Sequence, residues 1–238
     1  MKRIFCFLIV LKLLIPVFHQ VHNSLTPKEK KEGWILLFDG KSVSNWQSAS
    51  GKPFQSQGWT VQDGILIVKP VKGSQNGGDV VTLNEYSDFE FMVDFRTTVG
   101  ANSGIKYFYT NYKKGGRLGC EFQILDDEVN ADAKLGIGGN RVCGAFYDML
   151  APLPNRKVNA FGEWNTARIV SKGKHVEHWL NGIKILEYER GSEIYMQALA
   201  KSKFKDVEPV FGLVPKGRIL LQDHGTEVWF RNIKIRTL

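Results

Sequence analysis

Gln222, Asp223 and His224 stand in a row in LLQDHGTEVWFRNIKIRTL, just before the chain's last alternating apolar run. Successive side chains of an extended strand point to opposite faces. Gln222 and His224 therefore share a face with Leu220, while Asp223 takes the other with Leu221, where it can tie down the adjoining loop. GCEFQILDD follows the same pattern: Cys120, Phe122 and Ile124 on one face, Glu121 and Gln123 on the other. A wet strand face that gathers carboxylates, amides, histidines and aromatics is a candidate site rather than only a solvated surface. HVEHWLNG adds His178 and Trp179, which face opposite ways. The plain alternative for each histidine is a structural residue with satisfied ring nitrogens, and for Trp179 it is core packing.

This pattern disfavours ordinary two-carboxylate glycoside hydrolysis. A retaining enzyme sets its carboxyl groups about 5–5.5 Å apart. The next residue on Glu121's face is the amide Gln123, and Asp126 has the wrong parity. Metal chemistry stays open: Glu121, Asp126, His178 and His224 could contribute ligands to a divalent ion, although no HxxxH or CxxC spacing is present. GGRLG and GIGGN lack the setting of a phosphate-cradling loop, and no GxSxG elbow offers a serine nucleophile.

The elements that must position these residues are strands. FEFMVDFRT alternates with Phe89, Phe91, Val93 and Phe95 on one face. WTVQDGILIV turns on Asp63-Gly64, and HVEHWL and IKILEY flank Asn181-Gly182, both two-residue hairpin signals. Further strands are expected at GWILLFDG, GIKYFYT, GCEFQIL, WNTARIV, GRILLQ and VWFRNIKI. SEIYMQALAKSKF is the best helical candidate, a short helix or a lid over one edge. Ten or more short strands with regular turns predict one all-β domain, an antiparallel β-sandwich. With 43% hydrophobic and 12% aromatic residues the chain can fill such a core. Its formal charge of +8 is scattered rather than clustered, so no nucleic-acid partner is expected.

The start reads differently. Lys2 and Arg3 precede an apolar stretch from Ile4 to Ile15, broken only by Lys12, as in a secretory signal peptide. The stretch is shorter than the roughly 20 residues of a membrane span. We expect a signal peptide over residues 1–22, cleaved between Phe18 and Leu25. A polar lead-in comes next over 23–32, with a capped turn at Thr26-Pro27, and then one domain over 33–238. The mature protein is expected to be secreted or periplasmic, without a stable membrane partner. It retains Cys120 and Cys143, as buried thiols or as a pair.

Eight segments in order resemble the bacterial 3-keto-disaccharide hydrolase family: LFDGKSVSNW, GGDVVTLNEYSDFEFMVDFR, NSGI, GCEFQILDD, CGAFYDMLAP, GEWNTARIV, HVEHWLNG, and LLQDHG with VWFRNIKIR. They span nearly all of the mature chain. Two departures are visible. Cys120 stands where an aromatic is common, and Lys106 follows NSGI where an arginine is expected, which puts substrate contact from that strand in question. The resemblance implies a concanavalin A-like jelly roll and a small carbohydrate substrate, a glycoside oxidised at C3 by a separate sugar 3-oxidoreductase. A C3 ketone acidifies the C2 proton, so the glycosidic bond can leave by elimination, followed by addition of water. That chemistry needs a base, an acid and a group to hold the enolate oxygen, but no carboxylate nucleophile. Glu121 and His224 are then the base and acid candidates. Gln123, His178 and Gln222 are candidate hydrogen-bond donors or metal ligands, Tyr147 and Trp179 candidate stacking platforms, and Asn102 a further substrate contact. The rival expectations are a carbohydrate-binding module without catalysis and a glycosidase acting on unoxidised glycans.

Overall fold

The alternation becomes two sheets. A computed structural model describes residues 22–54, 56–71 and 77–238, so the expected signal peptide, apart from His22, lies outside the described residues. Helix α1 (Pro27–Lys31) is the predicted turn, with Thr26 and Glu29 forming a reciprocal capping box. Thirteen strands are present among the described residues: β1 (Ile35–Leu36), β2 (Trp46–Ser48), β3 (Trp59–Gln62), β4 (Ile65–Val68), β5 (Val80–Thr82), β6 (Phe89–Thr97), β7 (Asn102–Tyr112), β8 (Gly116–Leu125), β9 (Asn165–Lys172), β10 (His175–Leu180), β11 (Ile183–Glu189), β12 (Arg218–Leu221) and β13 (Val228–Thr237). Helix α2 (Glu193–Lys201), capped by Ser192, lies between β11 and β12.

All pairings are antiparallel. One sheet runs β11-β10-β9-β6-β13-β4-β3, with β1 also on β13; the other runs β2-β5-β12-β7-β8. Phe89, Phe91, Val93 and Phe95 of β6 are buried against Ile105 and Tyr107 of β7, Phe122 and Ile124 of β8 and Leu221 of β12. Each such side chain contributes about 1.5–3 kcal/mol relative to exposure. The architecture is a concanavalin A-like jelly roll.

The predicted hairpins form as expected. Asp63-Gly64 (φ 51° and 76°) joins β3 to β4, and Asn181-Gly182 (φ 50° and 79°) joins β10 to β11. Positive φ at both central residues is what a type I′ turn requires. Cys120 and Cys143 are unpaired, and burial pushes both thiols up to about 12.

The five-stranded sheet has two distinctive features. Its outer face, turned away from the partner sheet, carries Lys106, Glu121, Gln123 and Leu220, alternating with core residues. In β7 the register slips between Tyr107 and Thr110, with Phe108 at φ 53°. Tyr107 and Phe108 consequently both enter the core, and Tyr109 is turned to the outer face.

Candidate active site

On that outer face three strands converge. β8 supplies Glu121 and Gln123, β7 supplies Asn102 and Lys106, and the extension of β12 supplies Gln222 and His224. Tyr147, Asp132 and Lys203 close the sides of a cavity of about 110 Å³. Six of the eight residues singled out from the sequence therefore line one cavity: Asn102, Glu121, Gln123, Tyr147, Gln222 and His224.

Backbone pairing fixes each of them. Gln222 N–H donates to the Gly104 carbonyl (2.9 Å) and Ser103 Oγ donates to the Gln222 carbonyl (2.8 Å), which prolongs β12 beside β7. Tyr147 N–H donates to the Glu121 carbonyl (3.0 Å), and Gln123 N–H to that of Ala145 (3.1 Å). The Cys143–Leu150 segment thus lies along the free edge of β8 and brings Tyr147 to the cavity. Asp148 fastens this wall: its carboxylate accepts from Arg141 Nε (2.7 Å) and from the backbone N–H of Lys203 (2.8 Å). Arg141 in turn holds Asp132 (2.9 Å). Asp223 points away from the cavity, as parity requires. It accepts from the N–H groups of Gly77 (2.5 Å) and Gly225 (2.9 Å), tying down that loop.

Glu121 is buried, and burial is the main reason its carboxyl is raised above the ordinary range. Lys106, 3.7 Å away, and Lys203 pull in the opposite direction. Lys203 has its ammonium 4.3 Å from the centre of the Tyr147 ring; desolvation lowers its pKa, opposed chiefly by Glu121. Burial raises the Tyr147 hydroxyl, and the neighbouring Asp132 carboxylate adds to the effect. Gln123 Nε2 donates to Asn102 Oδ1 (3.3 Å). Gln123 Oε1 and Gln222 Oε1 are both buried without a hydrogen-bond partner. Two unpaired acceptors in one cavity suit a ligand rich in hydroxyl groups.

Two expected site residues lie elsewhere. His178 faces the core, not the cavity: Nδ1–H donates to the Gly144 carbonyl (3.0 Å), leaving Nε2 to accept from the Tyr107 hydroxyl (2.8 Å). Burial lowers its pKa to about 4, so it is a neutral structural residue. Trp179 lies on the outer face of the opposite sheet. Its indole N–H donates to Glu177 (2.7 Å) and the Arg168 guanidinium sits 4.7 Å from its ring.

The proposed metal ligands are likewise not assembled. Asp126 accepts from the N–H groups of Gly100, Glu128 and Val129, and His178 is enclosed in the core. The described residues do bring His175, Glu177 and Glu187 together on β10 and β11, but Lys184 bonds both glutamates there.

Sequence reading missed Lys106, Lys203 and Asp132. Lys106 was accessible by parity, since it alternates with the core residues Ile105 and Tyr107; strand β7 does reach the cavity, through Asn102 and Lys106. Lys203 comes from a turn after α2 and Asp132 from a single 3-10 turn (Ala131–Lys134), both too short for a periodicity to assign a direction.

Residues 33–236 match the model of the 3-keto-alpha-glucoside-1,2-lyase-like domain. A 3-keto-disaccharide hydrolase of Bacteroides thetaiotaomicron is 33% identical over 240 residues, covering 91% of this chain and 82% of that protein. Two crystal structures from Parabacteroides distasonis ATCC 8503, both carrying a provisional glycosyl hydrolase name, are also similar. One has TM-score 0.79 at 33% identity, covering 92% of this chain and 100% of its own. The other has TM-score 0.66 at 31%, covering 86% and 99%. The chain belongs to the 3-keto-alpha-glucoside-1,2-lyase-like family.

Proposed function

We propose that this protein is an exported enzyme that cleaves the glycosidic bond of 3-keto-glycosides or 3-keto-disaccharides by elimination and hydration. The observation that carries the reading is a single buried carboxylate, Glu121, sharing one cavity with two ammonium groups and an imidazole. The cavity's other acid, Asp132, is committed to Arg141. That arrangement suits enolate chemistry better than a nucleophile and acid pair. The glycosyl hydrolase names of the relatives support a glycoside-cleaving role, and the Bacteroides thetaiotaomicron protein supports a keto substrate.

Glu121 removes the proton at C2, and the C–H electron pair becomes the C2=C3 bond of an enolate with its charge on the C3 oxygen. Lys106 and Lys203 stabilise that oxyanion. The enolate then expels the glycosidic oxygen from C1, and His224 supplies the proton that oxygen takes up. Water adds across the new C1=C2 bond, hydroxyl to C1 and proton to C2, so the net reaction is hydrolysis. Tyr147, Asn102, Gln123 and Gln222 orient the ring. A ketone at C3 arises by oxidation of a secondary alcohol, so a separate sugar 3-oxidoreductase supplies the substrate.

The test is incubation of purified protein with a chemically prepared 3-keto-glucoside beside its unoxidised parent, with and without EDTA, followed by mass spectrometry. Cleavage of the keto sugar alone is expected. Cleavage of the parent would favour a glycosidase on unoxidised glycans. Binding without cleavage of either would favour a carbohydrate-binding module.

A further inference from the structure

The cavity around Glu121, at about 110 Å³, is well below the roughly 300–1,000 Å³ of pockets that enclose a whole small ligand. It takes the reacting part of one ring, so the remainder of a two-ring substrate must lie further along the sheet. A second hollow of about 250 Å³ opens on the same outer face, with Gln47, Val81, Tyr109, Asn111 and Arg117 in its lining.

The two hollows are neighbours on this face. Gln47, Val81, Leu220, Lys106 and Glu121 are successive cross-strand partners, one row over β2, β5, β12, β7 and β8. The first two members line the second hollow and the last two line the first. On β8, Arg117 of the second hollow and Gly119 of the first are consecutive residues on one face. On β7 the rise from Lys106 to Tyr109, shortened by the slip at Phe108, is at most about 10 Å, a step that a two-ring ligand bridges. Asp79 stands at the junction, its carboxylate acting on Lys106 and His224 on one side and on Tyr109 on the other.

The second hollow is also chemically suited to a sugar. The slip at Phe108 turns Tyr109 outward, where it packs with Val81 and Leu220 in a small apolar cluster apart from the main core. Bulges often re-aim side chains beside active sites. Asn111 and Arg117 are exposed, and Gln47 is half-buried, around this base. An apolar base with a hydrogen-bonding rim matches a pyranose, which presents C–H groups on its face and hydroxyls at its edge.

We infer that this second hollow is the subsite for the leaving sugar, with Tyr109 beneath the ring and Gln47, Asn111 and Arg117 bonding its hydroxyls. The inference rests on the reading of the Glu121 cavity as the cleavage site. Its test compares a 3-keto-disaccharide with the methyl glycoside of the same 3-keto ring, using wild type and the double variant Asn111→Ala/Arg117→Ala. Both side chains are exposed, so the fold is expected to survive. Loss of two hydrogen bonds is expected to lower kcat/KM for the disaccharide about tenfold, while the methyl glycoside keeps its wild-type value. Equal loss on both substrates, or no loss on either, overturns the subsite. Saturation-transfer NMR with the unoxidised disaccharide separates this claim from the catalytic one. If wild type cleaves nothing, but its saturation of the second ring is lost in the variant, the subsite stands and the cleavage reading falls. Second-ring signals that are unchanged in the variant overturn the subsite.

Discussion

Glu121 is held between opposing influences. Burial on β8 raises its carboxyl, while Lys106 at 3.7 Å and Lys203 favour the anion. A base so tuned sits closer to neutrality than a free carboxylate and is better matched to removing a carbon-bound proton. Glu121→Gln preserves shape and hydrogen bonding but cannot accept that proton. Its kcat/KM is expected to fall at least about 10²-fold, with unchanged circular dichroism. In wild type, activity should rise with pH along an acid limb displaced above the ordinary glutamate value of about 4.3. Stability carries the opposite sign. A carboxyl whose folded pKa exceeds its unfolded value favours the fold while protonated, and that contribution is lost as pH rises through the folded value. Denaturant titrations of both proteins should therefore show wild type losing stability relative to Glu121→Gln as pH rises. A constant difference would mean that the carboxyl is not raised.

At the scale of elements, the site depends on how closely β7 and β8 approach. A Cβ built on Gly104 would collide with Glu121 Oε1, so the glycine leaves the space in which the carboxylate rests. Gly104 does not have positive φ, and its backbone accepts alanine. Gly104→Ala must instead push the carboxylate aside. Displacement of a reacting group by 1 Å can cost about 10²-fold, so a loss of at least about tenfold in kcat is expected, with circular dichroism retaining the β-sheet signature. Wild-type activity in this variant would show that the carboxylate's position is not critical.

Much of this framework was legible in the sequence. Alternation in FEFMVDFRT and GCEFQILD gave the faces of β6 and β8, and Asp63-Gly64 and Asn181-Gly182 gave two hairpins. The same parity placed Gln222 with His224 and turned Asp223 away. Other features had no local signal. β2 and β5 are three residues each, too short for a period to register. The slip at Phe108 depends on the partner strand. Parity also separates two faces without saying which is buried. His178 was therefore expected at the site although its face is the core, where Tyr107 and Gly144 satisfy it.

Across the whole molecule, the first described residues are already part of the fold. Asn23 and Asn232 exchange hydrogen bonds between backbone and side chain (2.6 and 2.8 Å), and Asn23 Nδ2 donates to the Gly64 carbonyl (2.7 Å). If the chain is exported with removal of its leader, the mature protein should retain Asn23. Intact-mass measurement of secreted or periplasmic protein is expected to place the new N-terminus at or before this residue, and a start beyond it would contradict the expectation. The two sheets otherwise divide their tasks: the eight-stranded sheet carries an outer surface of arginine–tryptophan contacts, such as Arg231 over Trp164 (3.9 Å). The five-stranded sheet carries the cavity. Cleavage by that cavity is most directly tested through the C2 hydrogen. A 3-keto-glycoside deuterated at C2 and its protiated form would be mixed with the enzyme, and the residual substrate ratio followed by mass spectrometry. Removal of the C2 proton by Glu121 predicts that the protiated form is consumed faster and the residue enriched in deuterium. An unchanged ratio through most of the reaction would contradict the elimination mechanism.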